Sequence, residues 1–161
     1  MIEIECFKAA RARVKNIVVK TELSFASSLS ELSGYNIFLK KENLQKTGAY
    51  KLRGAFNRIA KLSDEKRGLG VISASAGNHA QGVAYSARYF GIRAVIVMPE
   101  ATPLLKVLST KSLGAEVILA GENYDEAYKY AKELAKSQTL EYIHPFSDDD
   151  VIIGQGTIAL E

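Results

Sequence analysis

The sequence has little of what would tie it to an oxidising compartment, a membrane or a nucleic acid. Cys6 is the one cysteine in 161 residues, which excludes an internal disulfide and a cysteine-based metal site. The longest apolar run, residues 94–98, is far too short to span a bilayer, and the first residues lack the pattern of a signal peptide. Basic and acidic residues are interleaved at a net charge of +3, which gives no indication of nucleic-acid binding. A reducing, cytoplasmic compartment fits best.

What the chain has is the composition of a globular protein and a regular alternation of strand and helix patterns. It is 47% hydrophobic and 24% charged, which excludes intrinsic disorder and is enough for one core. Short strands rich in valine and isoleucine are predicted at 69–73, 93–98, 115–119 and 140–143, and helices between them at 78–90, 103–113 and 124–137. This order predicts an α/β fold in which helices cover a parallel sheet.

The pattern before residue 69 is less regular. It predicts helices at 4–17 and 51–62, a strand at 35–40, and a loop with a short helical stretch at 22–34. Gly34 closes that loop, and Cys6 lies inside the first helix, where we expect a small buried side chain.

Several helix ends carry capping signals. Thr102 before Pro103, and Asn123, are predicted N-caps, with Pro103 as the first helical residue. Gly91 and Gly114 suit the C-terminal ends of their helices. The last residues of the chain still have helical character without a stop signal, so we expect the N-terminal part of a longer protein.

Lys51 is the first candidate for chemistry. It follows the turn at Gly48 and lies at the edge of a helical apolar stripe formed by Leu52, Ala55, Phe56, Ile59 and Ala60. Partial burial, the positive end of the helix and the nearby Arg53 would each lower the pKa of its amine. A neutral amine is what a lysine needs to form a Schiff base. Position alone, however, favours an ordinary solvated lysine.

The second candidate is the segment 73–82, which reads Ser-Ala-Ser-Ala-Gly-Asn-His-Ala-Gln-Gly between a strand and a helix. Free backbone N–H groups at a helix start, flanked by small side chains, would bind a carboxylate or phosphate at residues 75–79. An ordinary crossover turn explains the spacing equally well, because small residues also allow a helix to pack closely on a sheet.

Together the two segments resemble the pyridoxal-phosphate enzymes of fold type II, specifically the branch of threonine dehydratases and serine racemases. Residues 40–55, Lys-Lys-Glu-Asn-Leu-Gln-Lys-Thr-Gly-Ala-Tyr-Lys-Leu-Arg-Gly-Ala, are similar to the Schiff-base motif of that branch. Residues 75–82, Ser-Ala-Gly-Asn-His-Ala-Gln-Gly, are similar to its carboxylate loop. The likeness continues in order through segments at 98–100, 106, 114–117, 144–146 and 154–157, and therefore covers essentially the whole chain.

The resemblance implies a role for each matching residue. Lys51 would hold pyridoxal 5'-phosphate covalently and shuttle the α-proton, Tyr50 would pack against the pyridine ring, and Asn78 would hydrogen-bond the phenolic oxygen of that ring. Thr47 and Gly48 would shape the turn behind the lysine. The substrate carboxylate would be bound, largely by backbone N–H groups, at Ser75, Gly77, Asn78 and His79. His79 is expected to offer its backbone and not its ring, with titration of the ring near neutral pH as a secondary expectation.

The implied reaction is the elimination of water from L-threonine and L-serine in amino-acid metabolism, isoleucine biosynthesis included. The products are 2-oxobutanoate or pyruvate, and ammonia. Racemases of the branch carry a serine as a second acid where this chain has Ala76, so a dehydratase is favoured over a bifunctional racemase. A non-catalytic α/β module of the same shape is the alternative outside the enzymes. The motifs of the sulfide-using synthases of this fold are missing.

The resemblance also implies the organisation of the chain and its partners. Residues 1–68 would begin a larger domain, residues 69–148 would form a small α/β domain, and residues 149–161 would return into the larger one. The cup for the cofactor phosphate and the partner of the pyridine nitrogen would follow later in the chain, so these 161 residues alone should bind the cofactor poorly. The expected partners are an amino-acid substrate and further copies in a dimer or tetramer, with no metal, nucleic acid or membrane.

The remaining motifs receive structural interpretations. Asp148, with Asp149 and Asp150, should cap the last helix. The glycine-rich stretch 154–157 has no preceding strand and no P-loop lysine, so it is interpreted as helix packing. His144 should belong to a turn, and the tyrosines should form a packing face, namely Tyr124, Tyr128 and Tyr130.

Overall fold

A parallel four-stranded sheet with helices on both faces forms the centre of the molecule. The structure is a computed structural model that describes residues 2–161. Its helices are α1 (Ile4–Val14), α2 (Ser27–Ser33), α3 (Lys51–Ala60), α4 (Asp64–Leu69), α5 (Asn78–Phe90), α6 (Leu104–Ser112), α7 (Tyr124–Ser137) and α8 (Asp149–Gly156). Its strands are β1 (Leu23–Phe25), β2 (Phe38–Lys40), β3 (Val71–Ala74), β4 (Ala94–Met98), β5 (Glu116–Leu119) and β6 (Glu141–Tyr142).

The large sheet has the strand order β5-β4-β3-β6, with every neighbouring pair parallel. Its two central strands, β3 and β4, are buried along their whole length because helices cover both faces. This burial explains why they are continuous apolar runs instead of alternating patterns. The predicted α/β fold with a parallel sheet is confirmed.

Alternate residues of the central strands enter two separate cores. Val71, Ile96 and Met98 pack on one face with the alanines of α5. Ile72 and Val97 pack on the other face against α7, whose buried stripe consists of Ala127, Ala131 and Ala135. The period of two along the strands and the four-residue spacing on α7 produce this arrangement.

A second layer of helices lies against α5. Helix α3 packs between α5 and α8, and α1 packs on α8. A Cβ added at Gly154 of α8 would lie 2.6 Å from both the Arg53 O and the Gly54 Cα atoms, so the two helices cross with their backbones in contact. The interpretation of residues 154–157 as helix packing is confirmed.

Most predicted caps are present. Asn123 Oδ1 accepts a hydrogen bond from Glu126 N at 3.1 Å, and Asp148 Oδ1 accepts one from Asp150 N at 2.9 Å. Gly91 caps α5 in the left-handed region, with φ of 65°. The cap predicted at Thr102 is wrong by one residue, because Pro103 itself is the N-cap and α6 begins at Leu104.

Some elements differ from the predictions. The predicted loop 22–34 contains β1, which pairs antiparallel with β2. Helix α4 was not predicted at all, although Ser63 caps its start by accepting from Lys66 N. Cys6 is exposed, which contradicts the expected burial: it lies one turn before Ala10 on the same side of α1, and the buried residues of the helix are Ala10 and Val14, further along. Within residues 2–161 there is no helix whose length and apolar character would suffice to cross a membrane.

Candidate active site

The starts of two helices meet at one edge of the sheet and bring the two sequence motifs together. Lys51 is the first residue of α3, and Asn78 is the first residue of α5. Gly82, one turn into α5, touches the backbone of Lys51: an added Cβ there would lie 3.1 Å from Lys51 O. The glycine is needed for this close approach, which places the lysine beside the loop that leads into α5.

The side chain of Lys51 is partly buried at this junction, and a hydrogen bond holds its amine. Its Nζ donates a hydrogen bond to Pro145 O at 2.8 Å and lies 5.6 Å from the centroid of the Tyr50 ring. Burial lowers the pKa of the Lys51 amine below its usual range. The amine is therefore neutral in a larger fraction of molecules at neutral pH than that of an exposed lysine.

Arg53 does not contribute to this shift, contrary to the sequence-based expectation, because two carboxylates match its charge. Its guanidinium is fully buried and contacts Glu42 at 2.8 Å and Glu161 at 2.7 Å. Lys40 also binds Glu161 at 2.7 Å. The network fixes the first turn of α3 to β2 and to the end of the chain, and it thereby holds the backbone of Lys51 in place.

The loop between β3 and α5 presents backbone N–H groups at the start of a helix. The backbone N–H of Ser75 donates a hydrogen bond to Val97 O at 3.0 Å, and the Ser75 Oγ atom accepts one from Gly77 N at 3.3 Å. The hydrogen bond that opens α5 runs from Gln81 N to Gly77 O, so the N–H groups of residues 78–80 precede the helical ladder. No atom lies within 4 Å of a Cβ added at Gly77, which leaves room for an anion at this helix start.

The side chain of His79 is buried beneath the loop and faces away from its solvent side. Only 3% of the residue is exposed, and Nε2 lies 3.2 Å from Ile143 O, so the neutral ring donates from Nε2. Burial, together with the charge of Lys51, lowers the pKa of His79 to about 4. The expectation that this ring titrates near neutral pH is wrong. What His79 can offer to a ligand at this site is its backbone N–H.

Residues 143–147 form a third component, which the sequence analysis interpreted only as a turn. Ile143 O accepts hydrogen bonds from Ser73 Oγ at 2.8 Å and from His79, while Pro145 O accepts from Lys51. His144 Nδ1 accepts from the backbone N–H groups of residues 146 and 147. The turn is confirmed, but its contact with Lys51 was missed because a backbone carbonyl leaves no signal in the sequence.

An aromatic cluster borders this component. Tyr128 lies between Tyr124 and Tyr142, with ring centroids 6.2 and 5.6 Å away, and His144 lies 6.1 Å from both Tyr128 and Tyr142. The packing face predicted for Tyr124 and Tyr128 is confirmed. Tyr130 is exposed and has no aromatic contact within the described part of the chain, so its inclusion was wrong.

Comparisons with known proteins agree with this geometry. Residues 14–161 match the family described as pyridoxal-phosphate dependent enzymes. The chain belongs to this family. It is 54% identical to the L-threonine ammonia-lyase of Thermotoga maritima, over its whole length and 40% of that protein. It is 46% identical to a catabolic L-threonine dehydratase of Staphylococcus aureus, over its whole length and 47% of that protein.

Solved structures superpose on almost the entire chain. Threonine deaminase isoform 2 of Solanum lycopersicum, in its processed form, gives a TM-score of 0.92 at 42% identity, over 98% of this chain and 44% of that one. Serine racemase of Dictyostelium discoideum gives 0.91 at 34% identity, over 99% of this chain and 52% of that one. The chain thus spans about half, or less, of the length of these relatives.

The residues at the junction fit the cofactor of the family. The aldehyde of pyridoxal phosphate requires an amine with a lowered pKa, and Lys51 has one. An aromatic ring, Tyr50, lies beside that amine and is 41% exposed, so its face is available to a planar ring. The exposed amide of Asn78 is a suitable donor for a phenolic oxygen.

Proposed function

We propose that this chain contributes the lysine and the carboxylate loop of an ammonia-lyase acting on L-threonine and L-serine. The overall reaction eliminates water to give an enamine, whose hydrolysis takes up one water molecule and releases ammonia, so that threonine gives 2-oxobutanoate and serine gives pyruvate. The observation that supports it best is the half-buried Lys51 amine next to the start of α5. The similarity to threonine ammonia-lyases over the whole chain supports this substrate class.

The proposed work of Lys51 is to hold the cofactor and to move the α-proton of the substrate. Pyridoxal phosphate, when bound, supplies a ring that stabilises negative charge at the α-carbon. Only a neutral amine can accept a proton, and burial increases the neutral fraction of Lys51 near pH 7. The hydrogen bond to Pro145 O restricts the rotation of the amine and therefore directs its lone pair.

The proposed work of the loop is to bind and orient the substrate. Its carboxylate would be held at Ser75, Gly77, Asn78 and His79. The backbone N–H groups at the start of α5 and the positive end of the helix favour a negative group there. Because Gly82 packs α5 on the backbone of Lys51, a substrate fixed at the loop would present its α-carbon to the amine.

The remaining proposed features follow the family resemblance. Tyr50 would stack on the pyridine ring and Asn78 would donate to its phenolic oxygen. We also place the reaction in the cytoplasm and expect the complete protein to be a homo-oligomer. A chain with one cysteine, which is exposed, is compatible with a reducing compartment.

The first test is the release of 2-oxo acid by the intact protein loaded with pyridoxal phosphate. Lys51→Ala should lose the visible absorption band and at least about a thousandfold in kcat, because the group that holds the cofactor and moves the proton is gone. Lys41→Ala is the matched control, since this exposed lysine belongs to the same motif. If Lys51→Ala retained colour and turnover, the assignment of the lysine would be wrong.

The second candidate function, serine racemisation, is favoured by the similarity to the serine racemase of Dictyostelium discoideum. The structure has a methyl group at Ala76, the position next to Gly77, and a methyl group carries no exchangeable proton. We expect the wild type to form no D-serine and Ala76→Ser to add slow racemisation, because a hydroxyl can donate a proton from the second face. Chiral chromatography of the products checks this, and D-serine from the wild type would favour the racemase.

A further inference from the structure

We infer that His144 is a positioning residue for the Lys51 amine, acting through the turn that presents the carbonyl of Pro145. The inference deepens the proposed function and rests on it, because it concerns the lysine to which that function assigns the chemistry. His144 does not touch Lys51. It shapes the backbone that does.

The geometry of the turn shows how the histidine acts. His144 Nδ1 accepts hydrogen bonds from Phe146 N at 3.2 Å and from Ser147 N at 2.8 Å. These are the donors two and three residues further along the chain, which an asparagine or aspartate side chain accepts when it starts a turn. Pro145, which directly follows His144, has no N–H to donate, so the first two N–H groups after the ring are those of Phe146 and Ser147, and the ring nitrogen accepts from both.

The opposite side of the same turn faces the lysine. Pro145 is buried, and its carbonyl oxygen lies 2.8 Å from Lys51 Nζ. A neutral amine has two N–H bonds and one lone pair. Donation to a fixed carbonyl therefore selects among the rotations of a side chain that is otherwise long and flexible. If the carbonyl moved by even about 1 Å, the amine would lose this restraint, with a large effect on rate.

Other contacts fix the segment only at its ends. Upstream, Ile143 O is held by Ser73 Oγ at 2.8 Å and by the ring of His79. Downstream, Asp148 caps α8. The Pro145 carbonyl, which accepts the hydrogen bond from Lys51, lies between these two ends. The two hydrogen bonds that His144 Nδ1 accepts fold this part of the backbone into a turn. The same segment thus connects the amine to the element that carries the carboxylate loop.

The acceptor role requires an unprotonated Nδ1, which gives the inference a pH dependence. The rings of Tyr128 on α7, Tyr142 on β6 and Phe146 surround His144. The charged groups acting on it are Asp148 before α8, which raises its pKa, and Lys132 on α7, which lowers it, while His144 itself helps to lower the pKa of the neighbouring His79 on α5. Burial is the main reason that the pKa of His144 lies below its usual range, so the acceptor persists into mildly acidic solution.

Two variants of the intact protein separate the acceptor from the bulk of the ring. His144→Asn keeps an acceptor near the position of Nδ1, whereas His144→Gln places its amide one bond further out. The first readout is the rate at which acetic anhydride modifies Lys51 in protein freed of its cofactor, followed by peptide mass spectrometry. We expect about a tenfold faster rate in His144→Gln and a rate within about twofold of wild type in His144→Asn. Lys41, in the same samples, should react equally in all three proteins.

The second readout is the pH profile of turnover by the loaded protein. We expect kcat to fall about tenfold in His144→Gln while KM changes by less than about twofold, and His144→Asn to restore kcat. The acid limb of the wild-type kcat profile should move to lower pH in His144→Asn, because an amide does not take up a proton. A role in packing alone would not move this limb.

Each outcome decides the inference. Wild-type behaviour of His144→Gln in both readouts would overturn it, and so would equal losses in the two variants, since the ring and not its acceptor would then matter. If His144→Gln failed to fold by circular dichroism, the acid limb of His144→Asn would decide, and an unmoved limb would refute the role. A wild type without lyase activity would refute the proposed function, while the labelling of Lys51 would still test His144.

Discussion

At the scale of single residues, burial controls the charge of Lys51 and His79, the two titratable side chains at the junction between the starts of α3 and α5. The Lys51 amine and the His79 ring each have a pKa below the usual range, and desolvation is the largest cause for both. The neutral forms of these groups are therefore favoured together. A neutral His79 avoids placing a second positive charge near the amine that is proposed to move a proton.

His79 should make stability depend on pH. Its pKa is about 4 in the folded protein against 6.5 for an ordinary histidine, so below pH 6.5 the unfolded chain takes up a proton that the folded chain does not. The free energy of unfolding should therefore fall by about 3 kcal/mol between pH 6.5 and 4. Urea unfolding at several pH values checks this.

The matched variant is His79→Gln, whose amide can still donate to Ile143 O. It should be less stable than the wild type at pH 7. Its free energy of unfolding should, however, fall less steeply than that of the wild type as the pH is lowered from 6.5 to 4, because the amide takes up no proton. If the slopes of wild type and variant were equal, the stated role of His79 burial would be wrong.

Residue-scale prediction from sequence succeeded where neighbours along one helix decide the environment. The position of Lys51 at the edge of the apolar stripe of α3 already indicated its partial burial. It failed for His79, because the partner that buries the ring is Ile143, 64 residues away. It failed for Cys6 because how far along α1 the burial extends depends on how α8 and the end of the chain pack on that helix.

At the scale of elements, glycines set the spacing of the helices around Lys51. Gly82 of α5 contacts the Lys51 backbone on one side of α3, and Gly154 of α8 contacts Arg53 and Gly54 on the other. Helix α3 is thus held from two sides by backbone contacts that larger side chains would prevent. These contacts fix the height and rotation of the helix, and therefore the position of its first residue.

Gly154→Ala should destabilise the protein by about 1–3 kcal/mol, because the added methyl group meets rigid backbone atoms. Its Cβ would lie 2.6 Å from Arg53 O and from Gly54 Cα, which is too close without movement of a helix. Gly68→Ala on α4 is the control, since no atom lies within 4 Å of its added Cβ. That control should be neutral or slightly stabilising. Thermal unfolding of both variants checks this, and equal effects would contradict the packing account.

Long, capped helices were the elements best predicted from sequence. The bounds of α5 and α7 match the prediction because apolar periodicity and the signals at Gly91 and Asn123 agree. Short elements were missed or misplaced. The three residues of β1 become a strand only by pairing with β2, and the six residues of α4 are too few to show a periodicity.

At the scale of the whole molecule, the strand order assembles the site. The chain runs outward from β3 through β4 to β5 and then crosses back to β6 on the other side of β3. The carboxyl ends of β3 and β6 are therefore neighbours, and ligand sites of open α/β sheets lie at such a reversal. The alternation of strands and helices was predictable from sequence, but the strand order was not. Without that order, residues 143–147 cannot be placed beside Lys51.

The central claim is that the amine of Lys51 binds the aldehyde of pyridoxal phosphate, and chemical trapping tests it most directly. Sodium borohydride reduces the imine between an amine and pyridoxal phosphate to a stable secondary amine. The full-length protein is treated in this way and then digested, and mass spectrometry of the peptides locates the modified lysine. The account predicts the added mass on the peptide that contains Lys51, and on that site in preference to Lys41 or Lys46. A cofactor trapped on another lysine, with Lys51 unmodified, would contradict it.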